Sequence, residues 1–461
     1  MSLTISVLSY SIKTKGADAV AFTTLSFVFA FLPLSILIFY AAPKQLKTLV
    51  LLLISLLFYT MLDPTNLLLM LLSITYDYLM AFLILKAKKD ISMRKLPMMA
   101  CVLKNMALVI VFGLQQEIFH IAMPLGLMVY SLTSMGYVID VYRGDELFEK
   151  NWINFALFCT FFGKIITGPL VQYSDMRKDI LQIKPSLTMI SNGLILFVSG
   201  LAKQVILAGS ATEILEMLHH VPQESMSIVS TWLMVLSFTF RLYFTLSGYC
   251  DMARGLAQIF SLRLPESYHY PFQSRTVSDF FNRFNITVTQ FTNRYVYVIL
   301  GGDTNGYLST ALNTLLTAML LGLWFGIKLN YVLWGCYFAV LMLLERWLLM
   351  KIIIHLPVLF TRIYTFTMVL LSFTIFASDS LGQTWFWLKN MFGFGNSQWI
   401  DGYASYILSG NVVVLLLSFF FLTSLGSLIL RELKKRSLLI HDIGMVFYNV
   451  GLLTLSVSLM L

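Results

Sequence analysis

The sequence predicts an all-α polytopic membrane protein, and three observations carry that reading. Hydrophobic residues fill 58% of the 461 positions and charged residues 12%, about half the charged share of an ordinary soluble domain. Apolar runs of about 20 residues, the length that crosses a bilayer as helix, recur from end to end. Basic residues collect in the short stretches between those runs, where loop charge sets the orientation of a membrane protein. A soluble chain of this size would need more polar surface to cover its core.

The first clear run is Ala21–Ala42, ended by Pro43-Lys44, with residues 1–20 as an N-terminal extension. Leu49–Leu62 and Asn66–Leu85 pair around the turn at Asp63-Pro64. Next comes the densest basic loop, with Lys86, Lys88, Lys89, Arg94 and Lys95. Further runs are Pro97–Leu114, Pro124–Val141, Met189–Leu207, Ile228–Leu246, Leu308–Phe325, Tyr331–Ile354, Ile363–Ala377 and Val412–Leu430. A second basic loop, Arg431–Arg436, precedes the last run, Ile443–Leu461. The expectation is about eleven transmembrane helices in one continuous domain, 21–461. Placing both basic loops in the cytoplasm brings Lys44 and Lys47 to the same side and sets both chain ends outside. The compartment expected is the bacterial cytoplasmic membrane.

Net charge is +9, but without a basic patch carrying a reading module it does not indicate nucleic-acid binding. Cys101, Cys159, Cys250 and Cys336 lie in or beside apolar runs with no CxxC pairing. They read as buried small residues, not disulfides or metal ligands.

The middle of the chain differs. Phe155–Tyr173 contains Lys164 and the Thr167-Gly168-Pro169 break, and Leu262–Arg294 is polar and aromatic, with Arg263, Glu266, His269, Arg275, Asp279, Arg283 and Arg294. Such stretches make poor spanning helices and suggest re-entrant or interfacial segments. Charges at membrane depth pair together or line a cavity. Asp140 with Arg143, and Arg241 with Asp251 and Arg254, are candidate groups. The alternative for each is a place at the lipid headgroups; the cluster as a whole favours a polar central cavity.

Several motifs are missing. There is no P-loop, no GxGxxG opening a helix, no HExxH and no EF-hand loop, and no GxSxG elbow. His219-His220, after Glu213 and Glu216, read as a solvated loop before a metal site. No metal or bound cofactor is expected.

One set of stretches resembles the membrane-bound O-acyltransferase family, in its bacterial alginate O-acetyltransferase and D-alanyl transfer protein branch. The stretches are Phe27–Pro33, Leu56–Tyr59, Pro124–Gly126, Gly136–Gly144, Thr167–Asp175, Ser247–Ala257, Pro265–Phe272, Asp279–Val288, Leu300–Gly302, Gly322–Trp324 and Leu333–Gly335. Each piece is short; their order and spacing across roughly Phe22–Leu344 carry the resemblance.

The resemblance implies helices around a central funnel or tunnel. An acyl group would pass from a cytoplasmic thioester, acyl-CoA or an acyl-carrier protein, to a hydroxyl on an extracytoplasmic polymer or partner protein. It implies that Arg275, Asp279, Arg283, Asp251, Tyr249 and Trp324 line the tunnel. It also implies two motif positions for the chemistry. The first falls on Asn285, where the bacterial branch usually has histidine and many eukaryotic members have asparagine. The second, the histidine expected after Gly-Leu-Trp, falls on Phe325, which cannot accept a proton. A positioned base is typically worth about 10²- to 10⁴-fold, so this departure bears directly on activity. The histidine often found after Leu-Trp-Gly is also absent, and the chain reads Cys336-Tyr337-Phe338. None of His120, His219, His220, His269, His355 and His441 falls on a motif position. His269, Tyr337 and Glu345 are the substitutes that can be named.

Three readings follow. One is an acyltransferase with a relocated base or an activated acceptor. The second is a non-catalytic member serving as acyl or lipid conduit, scaffold or assembly partner. The third, a secondary transporter, lacks the paired broken helices in related halves that such folds show.

Overall fold

A computed structural model describes residues 21–87, 91–304, 306–394 and 398–461. The expected extension 1–20 and the basic residues Lys88 and Lys89 lie outside the described residues. Among those described, the fold is helical, and the one pairing of extended chain is an isolated antiparallel bridge between Tyr268 and Phe284.

Nine described helices are long and apolar enough to cross a membrane: Lys44–Leu62, Leu67–Lys86, Ser92–Phe119, Leu187–His219, Ile228–Ile259, Gly306–Leu323, Val358–Ala377, Gly402–Phe421 and Asp442–Met460. The other expected runs fold differently. Phe27–Ala41 is shorter. Leu127–Arg143 is 17 residues long and almost wholly buried. Tyr331–Ile354 divides into Leu329–Leu344, a π-helical turn at Glu345–Leu349, and Met350–Ile353. The run expected over Val412–Leu430 stops at Phe421. A separate helix, Leu425–Arg436, carries Arg431 and ends in Lys434, Lys435 and Arg436.

In lipid, helices gain little from hiding apolar surface, so close van der Waals packing must hold them together. Leu187–Ala202 and Ile228–Ile259 achieve this through glycines. A Cβ on Gly200 would lie 2.5 Å from the Gly248 carbonyl oxygen, and one on Gly193 would lie 2.6 Å from that of Gly255. Both pairs are seven residues apart on their own helix, so the same face repeats. A second seam joins Gly306–Leu323 to Leu329–Leu344, where a Cβ on Gly322 or Gly335 would strike the carbonyl of Tyr331 or Ala318.

Buried charges sit inside these contacts. Asp77, fully buried, accepts from Lys104 Nζ at 2.9 Å, Ser134 Oγ at 2.6 Å and Asn105 Nδ2, tying three helices together. The expected pairing of Asp140 with Arg143 is not the one formed. Asp140 takes Arg294 at 3.0 Å and the Tyr295 hydroxyl at 2.7 Å. Arg143 lies three residues further along the same helix and reaches the Arg294 carbonyl instead. Asp251 likewise pairs with Lys203 at 2.6 Å and Arg254 at 3.5 Å, not with Arg241. The glycine seam lays Lys203 alongside it, whereas Arg241 is nearly three turns away on Asp251's own helix.

The four cysteines are free, with Cys101, Cys159 and Cys250 buried and Cys336 half-buried. The break expected near Pro169 is present. Trp152–Thr160 is capped by Asn151, one turn follows at Phe162–Ile165, and a cis Gly168–Pro169 bond leads to Tyr173–Leu181.

Candidate functional site

Residues 262–303 fold as short pieces between two long helices, and side chains satisfy much of their backbone. Tyr268 and Phe284 stand opposite each other. The His269 amide donates to the Arg283 carbonyl at 2.9 Å and the Ile286 amide to the Ser267 carbonyl at 2.8 Å. This ladder fixes Ser267 and His269 against the stretch that carries Arg283 and Asn285. Thr276 caps the helix Val277–Phe281, its Oγ1 accepting from the Asp279 amide. Glu345, fully buried, accepts from the Val277 and Ser278 amides at 2.7 and 3.3 Å. A carboxylate at the first amides of a helix meets unpaired donors and the positive end of the helix dipole. Glu345 therefore serves as a cap, and its lone pairs are engaged by backbone.

Asp279 holds Arg283 at 2.9 Å one turn away and accepts from the Arg275 amide at 3.3 Å. Asn285 follows in the left-handed region, φ +50°, which asparagine tolerates better than most residues. It begins the helix Ile286–Thr292 and is 8% exposed. Its carboxamide makes no hydrogen bond among the described residues. Thr289, one turn on, has a buried hydroxyl oxygen that also lacks a partner.

A chain of charges leads to this point. Lys203 and Arg254 flank Asp251, Arg254 comes within 3.9 Å of Glu266, and Glu266 lies 3.5 Å from His269 Nδ1. Beyond the site, Asp303 binds Arg346 at 2.7 Å and the Tyr297 hydroxyl. The Arg346 hydrogen bond holds its carboxyl below the usual carboxylate range.

Phe325 stands elsewhere. It follows Gly306–Leu323 in a tight turn, and its ring meets Trp334 edge-on at 5.7 Å and Phe376 at 5.1 Å. Trp334 and Phe376 touch each other at 5.4 Å, and Tyr331 closes on Phe376 at 4.6 Å. The result is an apolar box. Its neighbour Trp324 turns the other way and lines a cavity of about 660 Å³, together with Val288, which is three residues after Asn285.

The sequence-predicted residues thus divide. Asp251, Arg275, Asp279, Arg283 and Asn285 belong to the polar array, and Trp324 to the cavity beside it. Tyr249 is buried in an apolar cluster, its ring 6.2 Å from that of Phe22. Phe325 packs in the aromatic box. Lys203 and the capping role of Glu345 are additions of the structure; paired glycines at heptad spacing are the sequence signal that points to Lys203. Tyr337 donates to the Met368 carbonyl at 3.0 Å. Among the described residues no group of three or more histidine, cysteine or acidic side chains is placed to hold a metal.

The family model described as MBOAT, membrane-bound O-acyltransferase family, matches residues 149–377. A probable alginate O-acetylase of Pseudomonas aeruginosa is 31% identical over 288 residues, covering 62% of this chain and 55% of that protein. A peptidoglycan O-acetyltransferase of Helicobacter pylori is 26% identical over 421 residues, 81% of this chain and 80% of its own. A teichoic acid D-alanyltransferase of Bacillus subtilis is 28% identical over 131 residues. The match spans a little over half the length of the alginate relative.

Proposed function

This chain belongs to the membrane-bound O-acyltransferase family, and we propose from that premise that it serves acyl transfer to a hydroxyl of an extracytoplasmic envelope polymer. The donor is a thioester on the basic, cytoplasmic face, acyl-CoA or an acylated carrier protein. In the transfer, the acceptor oxygen bonds to the acyl carbon, the C–S bond breaks, and the thiolate leaves while the hydroxyl gives up its proton. The relatives' names, which concern alginate, peptidoglycan and teichoic acid, support an envelope polymer as acceptor.

The observation that carries this reading is the free Asn285 carboxamide at the end of the charge array. Its N–H groups can bind the oxygen of a thioester carbonyl and stabilise the charge that develops there. Loop charge supports the orientation. Followed along the spanning helices and their ion pairs, Arg143, Arg177, Arg254, Arg294 and Arg346 fall at the end of the bundle that holds Lys86, while Asp63, Glu117, Asp379 and Asp401 fall at the other with Lys328 and Lys389. A base has to come from outside the Phe325 position, from His269 or from the acceptor's own surroundings.

A second reading, a non-catalytic conduit or scaffold, is favoured by the aromatic box around Phe325. One experiment separates them. The protein in lipid vesicles is given labelled acetyl-CoA or acylated carrier protein, with alginate, peptidoglycan or teichoic-acid fragments, and ester formation is read. Turnover lost in Asn285→Ala supports transfer. No turnover in the native chain, with turnover gained in the doubly substituted Asn285→His, Phe325→His variant, supports the second reading.

A further inference from the structure

The cavity of about 660 Å³ beside Trp324 is walled by Ile91–Phe119, Leu127–Arg143, Gly306–Leu323 and the short helix after Asn285. Met98, Met99, Met106, Met128 and Met135 line it, and Arg143 stands at one end. Methionine is flexible and polarizable, which suits a wall that must accommodate a variable apolar chain. Met98 and Ile110 lie along the same wall twelve residues apart, about 18 Å of helix. That exceeds half of the roughly 30 Å hydrocarbon core. The slot is therefore long enough to take most of one lipid tail.

Its charged end meets carbonyls and the Tyr295 ring but no carboxylate among the described residues. The carboxylates nearby are taken: Asp140 and Asp145 both receive Arg294, at 3.0 and 2.8 Å, and Glu146 receives Arg177 at 2.8 Å. Arg143 faces no carboxylate among the described residues; its N–H groups reach the Arg294 carbonyl at only 3.3 and 3.4 Å, and the side chain is exposed. Arg94 donates to the Tyr142 carbonyl at 2.6 Å and likewise has no carboxylate partner among the described residues. One guanidinium lining the slot, with a second bonded to its lining residue Tyr142, suits a phosphate attached to an acyl chain. This end lies on the side of the basic loops, where anionic lipids concentrate.

We propose that this slot is a binding site for an anionic glycerophospholipid, with one acyl tail along the methionine-lined wall and the phosphate on Arg143, supported by Arg94. The site is independent of whether Asn285 and Phe325 carry out chemistry.

The test reconstitutes the whole protein in vesicles of phosphatidylethanolamine with a minor share of phosphatidylglycerol, purifies it in neutral detergent, and measures retained lipids by mass spectrometry. The expected result is phosphatidylglycerol enriched over its share in the vesicle. Enrichment should fall about tenfold in Arg143→Ala and partly recover in Arg143→Lys. Met135→Trp, which fills the slot, should expel both lipids. No enrichment in the native chain, or equal enrichment in Arg143→Ala, overturns the proposal. So does displacement of phosphatidylglycerol by a long-chain acyl-CoA, which would identify the slot as the donor's tail site. If Arg143→Ala fails to fold, Arg143→Gln gives the same charge loss with hydrogen bonding kept.

Discussion

Asn285 and Phe325 stand at the two motif positions where the family's chemistry is expected, and their surroundings have little in common. Asn285 ends a ladder and begins a helix, with an unpaired carboxamide and charged groups on the approach. Phe325 sits in a box of rings, touching Trp334 and Phe376. The frame around Asn285 is demanding, because each buried backbone group there needs a partner. The frame around Phe325 has been made cheap, because an aromatic ring packs without one. The two positions therefore differ in what a substitution removes: a polar group and its backbone frame at Asn285, ring packing at Phe325.

The comparison breaks first at Glu345. Glu345→Ala strips two backbone amides of a charged acceptor and leaves a buried void, with an expected cost of about 3 kcal/mol. Thermal unfolding in detergent should show it, and protease access should appear first within residues 262–303. Phe325→Leu, by contrast, should cost less than about 1.5 kcal/mol, because one apolar residue replaces another in a half-buried place. Equal losses from the two substitutions would mean that the two frames are alike in energy.

Asn285 sharpens it next. Asn285→Ala should cost about 1 kcal/mol, since alanine enters the left-handed region less readily, while abolishing any transfer the native chain performs. Asn285→Gly removes the carboxamide without the backbone penalty. If Asn285→Gly keeps full turnover, the carboxamide has no part in the chemistry. Phe325→His tests the other side: its imidazole would have to enter an apolar box, so a lower melting temperature is expected together with any gain in turnover.

How much of this was legible beforehand follows from physical period and distance. Single helices could be read because a run of about 20 apolar residues signals itself locally. Pro124–Val141 reads as a span, yet the burial of the helix Leu127–Arg143 depends on neighbours that no single run reveals. Asp140 was recognised as a charge needing a partner. Arg143 was the nearest cation in the sequence, but Arg294, 151 residues further along than Arg143, is the one folding delivers. The motif positions were readable from order and spacing. The aromatic box was not, because Trp334 and Phe376 come from two other helices.

Acidity offers the smallest test, on the Phe325 side of the molecule, where the described polar links are mostly neutral. Asp401 caps Gly402–Phe421 and accepts from the Ser230 hydroxyl at 2.5 Å, the Ser227 amide at 3.0 Å and the Ala404 amide at 2.7 Å. Burial raises its carboxyl, but these hydrogen bonds outweigh burial and hold it below the usual value. A depressed folded value means the carboxylate stabilises the fold above the unfolded value near 3.9. That contribution is lost as pH falls through the lower folded value. The cap is worth about 1 kcal/mol. Asp401→Asn keeps a capping oxygen but removes the charge, so its melting temperature should trail the native chain at neutral pH and approach it in acid. Parallel curves at all pH values would remove Asp401 as the carboxylate that ties the starts of Ile228–Ile259 and Gly402–Phe421 together. The Phe325 side would then be held by packing and neutral hydrogen bonds, a sharper contrast with the charged frame around Asn285.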